Sequence, residues 1–238
     1  MDATRLLYRV GWSLTKAKLA NKLLAANSSC PCCGWEGRRF HDYIELDYRI
    51  NNAACPSCES HSRHRAFFLW LTGEYQLQQK QGMAVVFAPE RALKAIWDNV
   101  SGLTICRADR SASRGIDVML DIQGLPFDSG SVDLVWCHHV LEHVEHDQQA
   151  INELCRILRP QTGELIVSVP MTPGTVTREY GFPNPRESGH WRMYGDDFVD
   201  RLMHSGLTVE TVKFHATEAE LSHNRIEPEH WYVCRRLN

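Results

Sequence analysis

The sequence has no apolar run near the roughly 18 to 20 residues that a membrane-crossing helix needs. It has no internal repeat and no low-complexity segment. It has no large excess of charge, because 26 Lys and Arg face 29 Asp and Glu for a net charge of -3. That balance argues against binding nucleic acid by bulk charge alone. Its basic first 26 residues hold no unbroken apolar stretch longer than the four residues Leu23-Leu24-Ala25-Ala26. A secretory signal needs a longer apolar core, so secretion is disfavoured.

What is present fits an ordinary globular chain of 238 residues, with 43% hydrophobic and 23% charged residues. Cysteine is the exception: there are nine, an odd number not spaced as a small disulfide scaffold. Two tight pairs and several scattered thiols fit a reducing compartment, and a cytoplasmic protein is expected. Charge is uneven, with residues 1–65 at +4 and the remainder at -7. The chain therefore reads as modular, with a front end suited to an anionic or acidic partner.

Residues 1–27 read as a basic amphipathic helix, with Leu6, Leu7, Val10, Leu14, Leu19, Leu23 and Leu24 near helical spacing. The body of the protein, a second copy of the chain (a homodimer contact) or a membrane surface would cover such a stripe. A cleaved organelle-targeting segment is a further reading.

Residues 28–72 form a second module. Cys30-Pro31-Cys32-Cys33 and Cys55-Pro56-Ser57-Cys58 are two Cys-x-x-Cys knuckles separated by 21 residues. A zinc ribbon needs two such turns brought together by a hairpin, which the alternating stretch Arg38–Ile50 (Phe40, Tyr43, Ile44, Leu46, Tyr48, Ile50) supplies. The expected ligands are Cys30, Cys33, Cys55 and Cys58, with Cys32 as a substitute of poorer register. Four thiolates leave no open position, so the zinc is structural. Ser62-Arg63-His64-Arg65 follows, either as a grip for a phosphate or carboxylate or as a solvated helix face.

Residues 73–238 alternate strands and helices. Strands are expected at Met83–Ala88, Leu103–Ala108, Asp117–Asp121, Val132–Cys137, Glu164–Val169, Leu207–Phe214 and Trp231–Arg235, and helices at Arg91–Asn99, Asp147–Leu158 and Asp196–His204. The last two strands are expected to pair as an antiparallel edge. This pattern predicts an α/β fold with a doubly wound, mostly parallel seven-stranded sheet, preceded by the N-terminal helix and the small zinc ribbon. Ligands of such sheets lie across the strand carboxyl ends, here Phe87-Ala88-Pro89-Glu90, Asp109-Arg110, Asp121-Ile122 and Cys137-His138-His139.

The stretch from Asp121-Ile122 through Leu125-Pro126-Phe127, Asp133-Leu134-Val135 and Val140-Leu141-Glu142-His143-Val144 to Arg156-Ile157-Leu158 and Gly163 resembles the class I S-adenosylmethionine-dependent methyltransferases. The resemblance covers roughly residues 83–215, several motifs falling in order at matching intervals. It implies a Rossmann-like methyltransferase fold and S-adenosylmethionine as cofactor. Asp109 would hold the ribose hydroxyls, and Asp121 and Ile122 would flank the adenine. Phe87, Ala88, Pro89, Glu90, Cys137 and His138 would border the same crevice. The usual glycine-rich first turn is missing, with no glycine between Gly82 and Gly102. A subgroup with a zinc ribbon, an Arg-His-Arg stretch and an Ala-Pro-Glu loop is similar in all three respects. Without that resemblance the loop would argue for a degenerate, non-catalytic binding protein.

Methyl transfer is an in-line displacement that needs a base only when the acceptor carries a proton. His138, His139 and His190 are the candidate bases. His143 reads as a packing residue, and Glu142 as a partner for nearby backbone amides. Residues 170–195, rich in Pro, Gly and aromatics, read as a long loop over the site, with Arg178, Arg186 and Arg192 available to an anion. The expected substrate is a small molecule or a glycan-type hydroxyl or amine. RNA is the alternative, since a ribbon ahead of this fold is similar to the bacterial ribosomal RNA guanine methyltransferases.

Overall fold

The computed structural model describes residues 3–44, 48–112 and 115–237. In chain order the elements are α1 (Ala3–Leu23), β1 (Ser28–Ser29), β2 (Glu36–Gly37), β3 (His41–Ile44), β4 (Arg49–Ala54), α2 (Ser62–Thr72), β5 (Gly82–Phe87), α3 (Lys94–Asp98), β6 (Leu103–Asp109), β7 (Val118–Met119) and β8 (Leu134–His138). They continue with α4 (Asp147–Ile157), β9 (Glu164–Ser168), β10 (Arg178–Asn184), β11 (His190–Met193), α5 (Phe198–His204), β12 (Leu207–Phe214), α6 (Glu218–His223) and β13 (Glu229–Arg236). The chain divides into two compact units, neither of them continuous in sequence. One comprises Met1–Gln78, Glu90–Val100 and Phe214–Glu229; the other comprises Gln79–Pro89, Ser101–Lys213 and His230–Asn238. Among the described residues no helix is long and apolar enough to cross a membrane.

In the first unit, α1 buries a different face from the expected leucine stripe. Ser13 and Ala17 are buried, whereas Leu7, Leu19, Leu23 and Leu24 are exposed. The side chain of Leu6 lies outside the described residues. Positions 13, 17 and 21 share a face at a spacing of four. Through them Ser13 donates to Asp42 at 2.5 Å, and Asn21 bonds the Arg38 and Arg39 amides and the Arg39 carbonyl. The hairpin expected over Arg38–Ile50 forms as β3 against β4 with Tyr43 opposite Ile50, and it runs on to Ala54; Leu46 lies outside the described residues. Asp42 is its hub and also accepts from Arg39, Arg49 and the Asn52 amide. Burial opposes its charge, but the bonds from Ser13, Asn52, Arg49 and Arg39 prevail and hold its carboxyl down at about 2.

Helix α2 carries the Arg-His-Arg stretch, and His64 and Arg65 are buried in it. Neither solvates a helix face. The Arg65 guanidinium donates to the carbonyls of Ala53, Ser60 and Arg225. His64 Nε2 lies 2.5 Å from Glu90 Oε1, with Arg63 3.5 Å from the same oxygen. The carboxylate gripped here is the protein's own.

In the second unit the seven strands lie in the order β12-β13-β9-β8-β5-β6-β7. β5 pairs in parallel with β6 on one side and β8 on the other, and β8 pairs in parallel with β9. β13 is antiparallel to β9 and lies between it and β12, so the last two strands are neighbours, with β12 at one edge of the sheet and β7 at the other. The central strands are apolar on both faces, as strands of a covered parallel sheet are. Ile151, Leu154 and Cys155 of α4 and Phe198 and Leu202 of α5 are buried in the same core, each large side chain contributing roughly 1.5–3 kcal/mol. Residues 170–195, expected as a loop, contain the β10–β11 hairpin, and residues 215–229 contain α6.

Two family-like motifs hold each other. Arg156 donates to the carbonyls of Leu125 and Phe127 and to Glu153, and Glu153 accepts from the Leu125 amide. Gly163 lets the turn after α4 fold back, because a Cβ there would stand 2.7 Å from the backbone of Arg159. Strand order reverses about β5, so the chains leaving β5 and β8 diverge. Their first residues, Ala88 and His139, have φ of 44° and 52°. A left-handed backbone without glycine costs of order 1–3 kcal/mol.

Two predictions follow from these contacts. Asp42→Asn should lower the stability of the first unit by about 2–3 kcal/mol, as loss of a buried charge-assisted network does. A depressed carboxyl contributes stability above its unfolded value near 3.9, lost as pH falls towards about 2. Wild type should therefore lose in thermal melts over that window what the variant lacks throughout, and parallel melting curves would exclude the role. Ala88→Gly should keep or raise stability, while Ala88→Val should lose about 1–3 kcal/mol; equal losses in denaturant titrations would show that the turn needs no left-handed residue.

Candidate active site and candidate metal centre

The Cys30–Cys33 knuckle hangs from the β1–β2 hairpin, and its turn is closed by the Gly34 amide donating to Cys30 O at 2.8 Å. The second knuckle follows β4 directly, with the Glu59 amide on Cys55 O at 2.9 Å and the Ser57 amide 3.4 Å from Cys55 Sγ. The sulfurs of Cys30, Cys33, Cys55 and Cys58 all lie within 4.8 Å of one another. Cys30 to Cys58 and Cys33 to Cys55 are each 3.7 Å. Four thiols at this spacing suit a tetrahedral, thiophilic ion. Cys32 is buried and directs its thiol to His64 O at 3.7 Å.

In the second unit a cavity of about 550 Å³ opens at the tips of β5, β6, β7 and β8. Phe87, Ala88, Asp109, Asp121 and Ile122 line it. Asp109 Oδ1 accepts from the Ser111 amide at 3.0 Å and its hydroxyl at 3.2 Å. Asp121 Oδ1 accepts from the Gln123 amide at 2.9 Å, which lowers its carboxyl below the ordinary range, with the Gln123 side chain adding to the effect. Both carboxylates are thus held at the rim by the turns that follow their strands.

Four of the expected cofactor contacts do not line this cavity. Cys137 is fully buried in the core, and burial pushes its thiol up. His138 is 4% exposed and hydrogen-bonded to Ser168. Pro89 is absent from the lining, and Glu90 is bound to His64. β8 is buried on both faces as far as His138, whereas His139, one step beyond the strand, reaches the rim.

Of the candidate bases, His139 lines the cavity and His138 and His190 do not. His190 packs edge-on against His143, ring centroids 4.8 Å apart, and His143 does line it. Burial lowers the His190 imidazole below its ordinary value, against the pull of Glu142. Glu142 is fully buried and does not bond backbone amides: neither carboxylate oxygen takes a hydrogen bond from a described residue. Arg192 is buried on the carbonyls of Leu141, Val144 and Glu145, and the anion it holds is the protein's own Glu179, at 2.9 Å. Tyr194 is likewise buried, bonded to Asp147 at 2.8 Å. Trp191 and Gln123 also line the cavity. Gln123 had no signal in the sequence beyond its place after Asp121 and Ile122.

Residues 89–167 match a family model described as a methyltransferase domain. A comparison with curated proteins finds no match. Among solved structures, the Haloferax volcanii complex of the Trm112 methyltransferase activator with a methyltransferase aligns at a TM-score of 0.50 and 17% identity, over 74% of this chain and 94% of that one. An S-adenosylmethionine-dependent methyltransferase from Mesorhizobium loti aligns at a TM-score of 0.51 and 16% identity, over 71% of this chain and 97% of that one. Over residues 89–167 the chain is therefore similar to a methyltransferase domain, and its seven-stranded sheet has the Rossmann-like fold of these methyltransferase structures.

Proposed function

We propose that the second unit transfers a methyl group from S-adenosylmethionine to a hydroxyl or amine of a small-molecule or glycan-type substrate. The observation that carries this reading is one cavity at the reversal of strand order that gathers Asp109, Asp121 and Ile122. When bound, S-adenosylmethionine supplies an electrophilic methyl on a positively charged sulfur. Asp109 would accept hydrogen bonds from ribose hydroxyls. Asp121 would accept from an exocyclic amine, and Ile122 would pack on the base. Ala88, lacking any side chain beyond Cβ, lets the first turn approach the ligand, the role glycine has in other such turns. His139 is the candidate base that faces the cavity, and it would take the acceptor's proton.

We also propose that Cys30, Cys33, Cys55 and Cys58 hold a structural zinc ion. A module this small has little core, and metal binding would supply most of its folding energy.

Asp109→Ala should weaken S-adenosylmethionine binding by about 1–3 kcal/mol. Calorimetric titration measures it, and unchanged affinity would remove the cofactor assignment. Transfer of tritiated methyl into metabolite or glycan fractions of a cell extract should identify the acceptor; label in RNA instead would move the substrate to RNA. Cys33→Ser should reduce bound zinc by one ion per chain and speed hydrogen exchange over residues 28–60, and an undiminished zinc content would refute the ligand set.

A further inference from the structure

We propose that Glu142, His143 and His190 form a second metal site, for one divalent first-row transition ion, on the wall of the cavity. A ligand atom from each lies within 4.8 Å of the other two. Bonds of about 2.0–2.2 Å to one ion set ligand atoms roughly 3–4.3 Å apart, so a small inward movement completes the shell. Two imidazoles and one carboxylate are a donor set that suits such ions and leaves coordination positions open.

The state of Glu142 is the independent observation. It is completely buried, and neither of its oxygens takes a hydrogen bond from a described residue. His139 Nδ1 stands 3.1 Å from Oε1. Burying a carboxylate without donors is costly unless a cation compensates it. His190 Nδ1 is buried and also lacks a hydrogen-bond partner among the described residues. A buried carboxylate that accepts no hydrogen bond from a described residue, with the His139 ring beside it, and a buried imidazole nitrogen that makes none thus meet on separate elements at the place where an ion would engage both.

The surroundings fix the three groups. Glu142 and His143 lie on the turn Leu141–His143. Arg192 of β11 pins that turn through the carbonyls of Leu141, Val144 and Glu145, and His190 begins the same strand. One buried guanidinium therefore couples the position of His190 to that of its two partners. His139 and His143 both line the cavity, so the open positions of the ion face it. They would accept an oxygen of the substrate; that role rests on the methyl-transfer reading, whereas the ion site does not.

The test uses the full chain with its four-cysteine site loaded with zinc, titrated with Co2+. Wild type should bind one equivalent, with d–d absorption of a nitrogen and oxygen site and no thiolate charge-transfer band. Glu142→Gln and His190→Ala should each weaken binding at least tenfold. Because Glu142→Gln removes a buried charge at nearly constant shape, it should fold and melt no lower than metal-free wild type, and Co2+ should raise the melting temperature of wild type only. Absence of saturable Co2+ binding by wild type, or unchanged affinity in both variants, would overturn the site. Titration of the same samples with S-adenosylmethionine separates the two readings: Co2+ binding without cofactor binding defeats methyl transfer and leaves the ion site standing, and the converse defeats the ion site alone.

Discussion

The parallel pairing of β5 with β6 on one side and β8 on the other is the constraint from which the candidate site follows. Two chains leaving neighbouring strands for opposite directions cannot fill the space between them with backbone. The opening is framed by Ala88 and His139, each forced into a left-handed conformation that side chains disfavour. Two residues at the ends of neighbouring strands therefore carry backbone strain, and both line the cavity.

Around this opening, guanidinium groups hold loops by their backbone. Arg156 binds the Leu125–Phe127 segment, and Arg192 binds the turn at 141–145. In the first unit Arg65 does the same for Ala53, Ser60 and Arg225. A guanidinium has five donors in a rigid fork, so one side chain satisfies several carbonyls that would otherwise be buried unpaired. The three arginines explain why short motifs far apart in the chain occur together. Leu125-Pro126-Phe127 and Arg156 are two halves of one contact, as are His64 and Glu90.

The sheet was legible because its central strands are short, continuous apolar runs bounded by turns, a pattern that Ala84–Phe87 and Leu165–Val167 display without ambiguity. The β10–β11 hairpin was not, because Gly181, Pro183 and exposed side chains erase its alternation. Helix α1 was legible as a helix, but its buried face was not: hydrophobicity pointed to the leucines, and the packed face consists of Ser13, Ala17 and Asn21. In the site, the positions of Asp109, Asp121 and Ile122 could be read from the strand ends. That His138 lies in the core while His139 reaches the rim depends on a single residue of register, which periodicity cannot fix. The burial of Glu142 beside His143 and His190 depends on a hairpin that the sequence did not reveal.

The insertion of β13 between β9 and β12 has a consequence for assembly on the ribosome. β12 is synthesised before the strand that joins it to the sheet. Until β13 emerges, β9 keeps an open flank and β12 has no neighbour, so both present unpaired amides and carbonyls to the surroundings. The nascent chain must therefore protect an incomplete sheet for the time it takes to translate the residues after Phe214, which makes this interval the one most exposed to mispairing with other chains.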